Sequence, residues 1–267
     1  MMNVNRVLYI SQEITPYLAS TPLGTFSREL PEAIIGRGCE VRTFMPRYGA
    51  INERRNQLHE VIRLSGLNIS IDDIDHQLII KVATLQPSRM QVYFIDNDDY
   101  FSRHSSTGLE TETLFEENDE RAIFFVRGVA ETVKKLRWAP SVIHCTGWIT
   151  ALTPIYLKRK YAGEPTFENT KVVFSLYDNA FEGSLDPRMA EKLKADGFDD
   201  ADLAPLGPVA DHNALMRLAM VHADAIAVSS EKIAPELIEF ARATGKPLLE
   251  YPGEGNHEAY REFYLSL

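Results

Sequence analysis

The residues able to do chemistry gather at the ends of apolar runs. Glu13 follows Val7-Leu8-Tyr9-Ile10, and the turn Ser20-Thr21-Pro22-Leu23-Gly24 leads into a helical pattern. A loop after a first buried strand lies at the carboxyl end of the sheet, where open α/β folds bind ligands, so the first question is whether Val7 to Gly24 holds an anion. The turn is not G-x-G-x-x-G and no P-loop occurs, which argues against a nicotinamide or flavin enzyme. Asp96, Asp98 and Asp99 could ligate a hard cation. They lack a glycine-turned loop and a distal Glu, and read as a solvated acidic loop. Asp72, Asp73, Asp75 and His76 read as a turn. The seven histidines are scattered and the two cysteines lie far apart, so no metal site is expected. His144 ends a strand inside the expected crevice, either as a core histidine or as a ligand contact. Glu13, Tyr177 and Asp178 are the titratable candidates for small-molecule chemistry there.

These residues need a sheet and helices to hold them. Val7 to Ile10 is the run of an interior parallel strand. A helix is predicted to start near Thr25 or Ser27 and to cover Phe26 to Gly36, because Phe26, Leu30, Ala33 and Ile34 share one face. Pro31 falls inside that pattern. Val41 to Met45 is a second strand, ended by Pro46-Arg47-Tyr48-Gly49. Strand, helix, strand is a βαβ unit and implies a parallel sheet. Residues 58–100 form a β-rich insertion of hairpins, with Met90 to Asp96 returning to the main sheet. The polar run Phe101 to Glu117 reads as a surface loop. Asn118 is predicted to cap a helix reaching Leu136. Strand Ser141 to Cys145, helix Trp148 to Tyr161 and strand Lys171 to Tyr177 follow. Helices Arg188 to Ala195 and Ala214 to His222 precede strand Ala225 to Val228. Ser229 or Ser230 then caps a helix ending near Ala243, and Leu248-Leu249 makes a last strand. Asn256 to Leu267 is a helix with Tyr260, Phe263, Tyr264 and Leu267 on one side. Those aromatics are expected to pack back across the domain or to cover a bare face. The expected architecture is an α/β fold in one domain over residues 1–267, with a doubly wound, mostly parallel, Rossmann-like sheet and a hairpin-rich insertion.

Composition sets outer limits. The 267 residues are 45% hydrophobic and 25% charged, ordinary for a globular chain with a sizeable core. A net charge of -10 argues against nucleic acid and against an anionic membrane surface. No apolar run reaches the ~18 residues of a membrane span, and the N-terminus lacks a signal-peptide core. Two cysteines, Cys39 and Cys145, read as buried thiols in a reducing cytoplasm.

Several segments together resemble the N-terminal domain of bacterial glycogen synthase and plant starch synthase, retaining ADP-glucose glucosyltransferases of the two-Rossmann-domain GT-B type. The opening of that family, S-E-x-x-P-[FY]-x-K-T-G-G-L-G-D, is similar to Gln12-Glu13-Ile14-Thr15-Pro16-Tyr17 and then Leu23-Gly24. Its L-P-x-A-L and G-H-x-V resemble Leu30-Pro31-x-Ala33-Ile34 and Gly38-Cys39-Glu40-Val41, and its P-R-Y is Pro46-Arg47-Tyr48. Its W-x-P-D-V-V-H-A-H-D-W-x-T-A resembles Trp138 to Ala151, and T-I-H-N-x-A-[FY]-x-G resembles Ser175 to Gly183. The resemblance runs in order from residue 5 to about 240. It implies a GT-B half-fold and a crevice holding Glu13, Leu23, Gly24, Arg47, Tyr48, His144, Trp148, Tyr177 and Asp178. ADP-glucose would be a substrate, and no cofactor is implied.

The departures bear on activity. The lysine of the family, which looks onto the nucleotide phosphates, corresponds to Ala19, and its two glycines to Thr21 and Pro22. Proline has no N–H, and both residues add bulk where a phosphate must approach. The aspartate after L-G is Thr25, the active-site His-Asp is Thr146-Gly147, and the histidine of T-I-H-N is Tyr177. A second Rossmann domain, with most of the nucleotide-sugar site, is not expected within 267 residues. One lost preorganised charge-stabilising group typically costs ~10²–10³ in rate, and here several change together. Two functions follow as expectations. One is glucosyl transfer from ADP-glucose to an α-1,4-glucan, with a partner chain supplying the other half. The other, favoured mechanistically, is a pseudoenzyme: a module that binds a metabolite, a glucan or a protein without catalysis. A homodimer is compatible with either.

Overall fold

The computed structural model describes residues 4–102 and 116–267. The predicted surface loop over residues 101–117 therefore falls largely outside the described residues. Eleven strands build two sheets among them. The parallel strands are β1 (Arg6–Ser11), β2 (Glu40–Pro46), β7 (Met90–Asp96), β8 (Val142–Thr146), β9 (Lys171–Leu176), β10 (Ala225–Val228) and β11 (Leu248–Leu249). Antiparallel β6 (Ile79–Leu85) and β3 (His59–Glu60) extend one edge, while β4 (Asn68–Ile71) and β5 (Ile74–Gln77) form a separate hairpin. The large sheet has the order β11-β10-β9-β8-β1-β2-β7-β6-β3. The chain steps from β1 to β2 in one direction, then returns to β8 on the other side of β1 and continues to β11. The order thus reverses between β1 and β8, the switch point at which open α/β sheets form a ligand crevice.

The insertion is mostly sheet. Met90 to Asp96 pairs parallel to β2, as the sequence predicts, with Phe44 opposite Tyr93, and β6 pairs along its other edge. Asp72 and Asp73 both have positive φ in the β4–β5 turn, while Asp75 and His76 belong to β5. Asp96 departs from its reading as part of a solvated loop. It is fully buried, 3.1 Å from Arg47 Nε and 2.8 Å from Lys81 Nζ. Two cations from neighbouring elements hold this carboxylate, and Glu53 joins them from the loop after β2.

Helices cover both faces. Helix α1 (Pro22–Ile35) lies against His144 of the sheet through Phe26, whereas Leu8, Ile10 and Ile143 meet Val126, Val129 and Val133 of α2 (Asn118–Leu136) on the opposite face. The predicted helix over Trp148 to Tyr161 is broken into a 3₁₀ turn, a short α3 (Thr153–Ile155) and a π turn over Tyr156–Lys160. Pro154 has no N–H to give a regular ladder. Then come α4 (Met189–Ala195), α5 (Asp200–Leu203), α6 (His212–His222) and α7 (Pro235–Ala243). The last helix, α8 (His257–Ser266), packs on the same face as α1, with Tyr260 and Tyr264 buried against His144.

Four helix starts differ from the sequence reading, α6 by beginning at His212 rather than Ala214, behind the Asp211 cap. Helix α1 begins at Pro22, because Thr21 accepts the Gly24 amide and a proline suits the first helical position. Helix α2 begins with Asn118 rather than being capped by it, and the Asn118 side chain accepts from Arg121. Ser229 and Ser230 do not cap α7, which starts at Pro235 after Ala234. The Ser229 hydroxyl is instead engaged with Ser175.

Candidate functional site

A cleft of about 720 Å³ opens at the carboxyl ends of β1, β9 and β10. One wall is the start of α1, with Thr21, Pro22, Thr25, Phe26 and Glu29. The floor and far wall come from Tyr177 and Asp178 after β9 and from Ser229 to Lys232 after β10. The loop from Tyr251 to Asn256 and the start of α8 close the end with Tyr251, Glu254, His257 and Tyr260.

The cleft is acidic and aromatic. Among the described residues, Glu29, Asp178, Glu231 and Glu254 line it, against Lys232 as the one lysine and no arginine. Phe26 lies 5.4 Å from Tyr177 and 5.6 Å from Tyr260, ring centre to ring centre. Burial pushes the Tyr177 phenol up to about 12, helped by nearby Tyr251, Glu254 and Asp178. Burial likewise raises Tyr260 to about 12. Both hydroxyls therefore keep their protons at neutral pH. Burial lowers the pKa of His257. Chemically the cleft offers ring faces, hydroxyls and carboxylates, the groups that hold an uncharged polar ligand better than an anionic one. Among the described residues no three His, Cys, Asp or Glu side chains stand together as a metal site.

The start of α1 is closed on itself. The Thr21 hydroxyl donates to the Glu13 carboxylate and accepts from the Gly24 N–H. Glu13 is buried at this point. Pro22 brings no N–H, and Ala19 is an exposed methyl group. Helix N-termini attract anions through free N–H groups and the helix dipole. Here the protein's own hydroxyl and carboxylate occupy that position.

Of the residues singled out from sequence, Thr21, Pro22, Thr25, Tyr177 and Asp178 come together in the cleft. Others sit behind it. Leu23 is buried in the first turn of α1, and Gly24 passes so close to Thr15 that an added Cβ would stand 2.9 Å from its Oγ1. Tyr48 is buried and donates to the Gln12 carbonyl. Arg47 is committed to Asp96 and Glu53. Trp148 is buried edge-on against Phe181. His144 is fully buried, with Nδ1 2.6 Å from the Tyr264 hydroxyl and Nε2 on Ser175. It is a core histidine, and burial pushes its pKa down to about 3. Thr146 is buried as well. Gly147 has φ +94°, and a Cβ there would run into Gln12, 2.7 Å from Oε1. Asn179 donates to that same Oε1 at 3.1 Å.

Sequence reasoning missed Phe26 and Glu29 as cleft residues, and all of Ser229 to Lys232 and Tyr251 to His257. Ser229 and Ser230 directly follow an apolar strand, which is the position where a crevice residue belongs in a parallel sheet. A serine in that place also has the pattern of a helix cap, which hides the signal.

Comparison with known proteins adds descent to this geometry. The family profile described as the starch synthase catalytic domain matches residues 6–250. Glycogen synthase from Chlorobium chlorochromatii (strain CaD3) is 35% identical over 254 residues, covering 92% of this chain and 50% of that protein. Glycogen synthase from Pelodictyon phaeoclathratiforme (strain DSM 5477 / BU-1) is 33% identical over 234 residues, 87% of this chain and 47% of that protein. The chain spans about half the length of the curated relatives it matches. Among solved structures, the catalytic domain of starch synthase IV from Arabidopsis thaliana, bound to ADP and acarbose, superposes with a TM-score of 0.73. That superposition covers 93% of this chain and 51% of the Arabidopsis chain, at 18% identity. It bears on the fold, a GT-B Rossmann-like half.

Proposed function

The chain belongs to the starch synthase catalytic domain family, and from that membership we propose that it is a sugar-binding member which does not, as this chain alone, transfer glucose from ADP-glucose. One observation carries the reading: the first turn of α1 is closed by Thr21, Glu13 and Pro22. A diphosphate would meet no lysine at Ala19, no amide at Pro22, and the carboxylates of Glu29, Asp178, Glu231 and Glu254. The Tyr177 and Tyr260 rings and the serine hydroxyls suit a pyranose, which stacks an apolar face and shares hydroxyl hydrogen bonds. Acarbose, a glucan analogue, binds the Arabidopsis relative, and that supports a glucan as the ligand class.

A second reading keeps the transferase chemistry and has another chain complete the site. The 33–35% identity to glycogen synthases favours it. Calorimetric titration of the purified chain with ADP-glucose, ADP and maltotriose separates the two, together with an assay for glucose transfer to glycogen. Maltotriose binding without ADP binding or turnover is the expected result. Turnover by the chain alone would overturn the proposal, and tight ADP binding without turnover would favour the second reading.

A further inference from the structure

The carboxylates that tie the elements together are paired. Asp96 meets Arg47 and Lys81, Asp119 and Glu120 meet Lys192, and Asp196 meets Arg127 and Lys160. The cleft at the carboxyl end of the sheet breaks this pattern. Glu29, Asp178, Glu231 and Glu254 line it, and among the described residues none of the four side chains has a hydrogen bond or an ion pair. Lys232, also on the cleft wall, is exposed and pairs with none of them. Burial lowers the pKa of His257, so its ring adds no positive charge at neutral pH. Four carboxylates against one ammonium leave an excess of three negative charges without a counter-ion from the chain.

Charge alone would describe a solvated surface. These carboxylates instead surround a concave space of about 720 Å³ whose wall also carries Phe26, Tyr177, Tyr251 and Tyr260. Phe26 stands 5.4 Å from Tyr177 and 5.6 Å from Tyr260, with interplanar angles of 38° and 58°, so the rings are tilted rather than stacked. Tyr177 is half-buried and Tyr251 exposed, which leaves ring surface open to a ligand. The face of an aromatic ring is negative, and a cation within about 6 Å of the ring centre is attracted to it. Ring faces and unpaired carboxylates in one cleft are complementary to the same partner, an organic cation.

We infer that the cleft selects a ligand bearing a protonated amine and, resting on the sugar-binding reading above, that this ligand is an amino sugar. The hydroxyls of such a sugar meet the serines and tyrosine hydroxyls, its ring meets the aromatic faces, and its ammonium meets the carboxylates. A neutral sugar uses the first two and leaves the excess charge uncompensated. A diphosphate is repelled by that charge. The association is noncovalent, and the ammonium supplies the counter-ion that the chain itself does not.

Titration of the full chain with glucose, glucosamine and N-acetylglucosamine compares a hydroxyl, an ammonium and a neutral amide on one ring. At a pH of about 6, below the range in which amines lose their proton, glucosamine is expected to bind about three- to thirtyfold tighter than the other two. Equal affinities would overturn the inference; maltotriose binding in the same experiment would then leave the sugar-binding reading standing. Asp178→Asn with Glu254→Gln removes charge from two side chains that hold no partner, and the glucosamine preference is expected to fall toward one. Glu239→Gln, an exposed change on α7 outside the cleft, is expected to keep the preference. A preference that survives the double variant, or that falls equally in Glu239→Gln, would overturn the assignment to the cleft. Tetramethylammonium, a cation without hydroxyls, is the probe if no sugar binds. Binding of it that the double variant weakens would support the cation site while the sugar-binding reading fails, and no binding would overturn both.

Discussion

Gly147 shows how one residue's backbone is matched to its neighbour's side chain. By resemblance it stands where the family carries the aspartate of H-A-H-D-W. Its φ of +94° is left-handed backbone, and the space where a side chain would project holds Gln12. Gln12 is tied there by Asn179. Where the family motif has a serine before its glutamate, this chain has the larger Gln12, so bulk at 12 and its absence at 147 fit each other. Gly147→Ala meets both obstacles, strained φ and contact with Gln12. The expected loss of stability is about 2–4 kcal/mol in urea unfolding, the strained backbone alone accounting for ~1–3 kcal/mol. Adding Gln12→Gly, which also removes the Gln12 Cβ that would stand 2.4 Å away, should return the contact part and leave the backbone part. Full additivity of the two substitutions would show that Gln12 does not occupy that space.

At the scale of elements, the loops that build the cleft are held by helices anchored elsewhere. Helix α4 is pinned to α2 by Lys192, whose ammonium is buried 2.7 Å from both Asp119 and Glu120 and 3.1 Å from Asp186. Burial alone would lower the Lys192 pKa, but the hydrogen bonds to Asp119 and Glu120 outweigh it and raise the value. Lys192→Met leaves the fully buried Asp119 carboxylate uncompensated, and is expected to cost about 3–5 kcal/mol in denaturant unfolding. Lys192→Met with Asp119→Asn should recover much of that loss; no recovery would mean the lysine acts through packing alone. How far the sequence could be read follows the same division. The βαβ start, β7 returning to the sheet and the aromatic face of α8 were legible, because apolar periodicity is a local record of burial. The helix starts at Pro22 and Pro235 are not legible from hydroxyl caps alone, because a proline suits the first helical position and the hydroxyls of Thr25, Ser27, Ser229 and Ser230 do not cap these helices. Asp96 was read as exposed because its partners, Arg47 and Lys81, come from other elements. The cleft was half legible for that reason. Thr21 and Tyr177 sit in motifs, whereas Ser229, Glu254 and Tyr260 reach it only through the fold.

Across the whole molecule, charge and cleft shape act in the same direction. The net charge of -10 and the carboxylates of the cleft make a negative potential, which lowers the local concentration of a diphosphate before any contact is made. The closed start of α1 then removes the donors that could repay that cost. Restoring the family pattern with Ala19→Lys, Thr21→Gly and Pro22→Gly reverses both terms. It adds a cation at the mouth, returns an amide to the first turn and frees Glu13 from Thr21. Charge-assisted hydrogen bonds contribute about 1.5–3 kcal/mol each, so ADP affinity should rise about tenfold or more by calorimetry. The part due to the lysine is exposed to solvent and should shrink as salt shortens the screening length from about 10 Å at 0.1 M toward 3 Å at 1 M. The part due to the backbone amide should survive. A salt-independent gain would assign the effect to the reopened helix start, and no gain at any salt would show that this turn is not where a diphosphate would bind. Helix stability must be followed in parallel. Losing the Thr21 cap for glycine costs a few tenths of a kcal/mol, and leaving the buried Glu13 without that donor adds about 1–3 kcal/mol, so affinities are compared only where the melting temperature shows both chains folded.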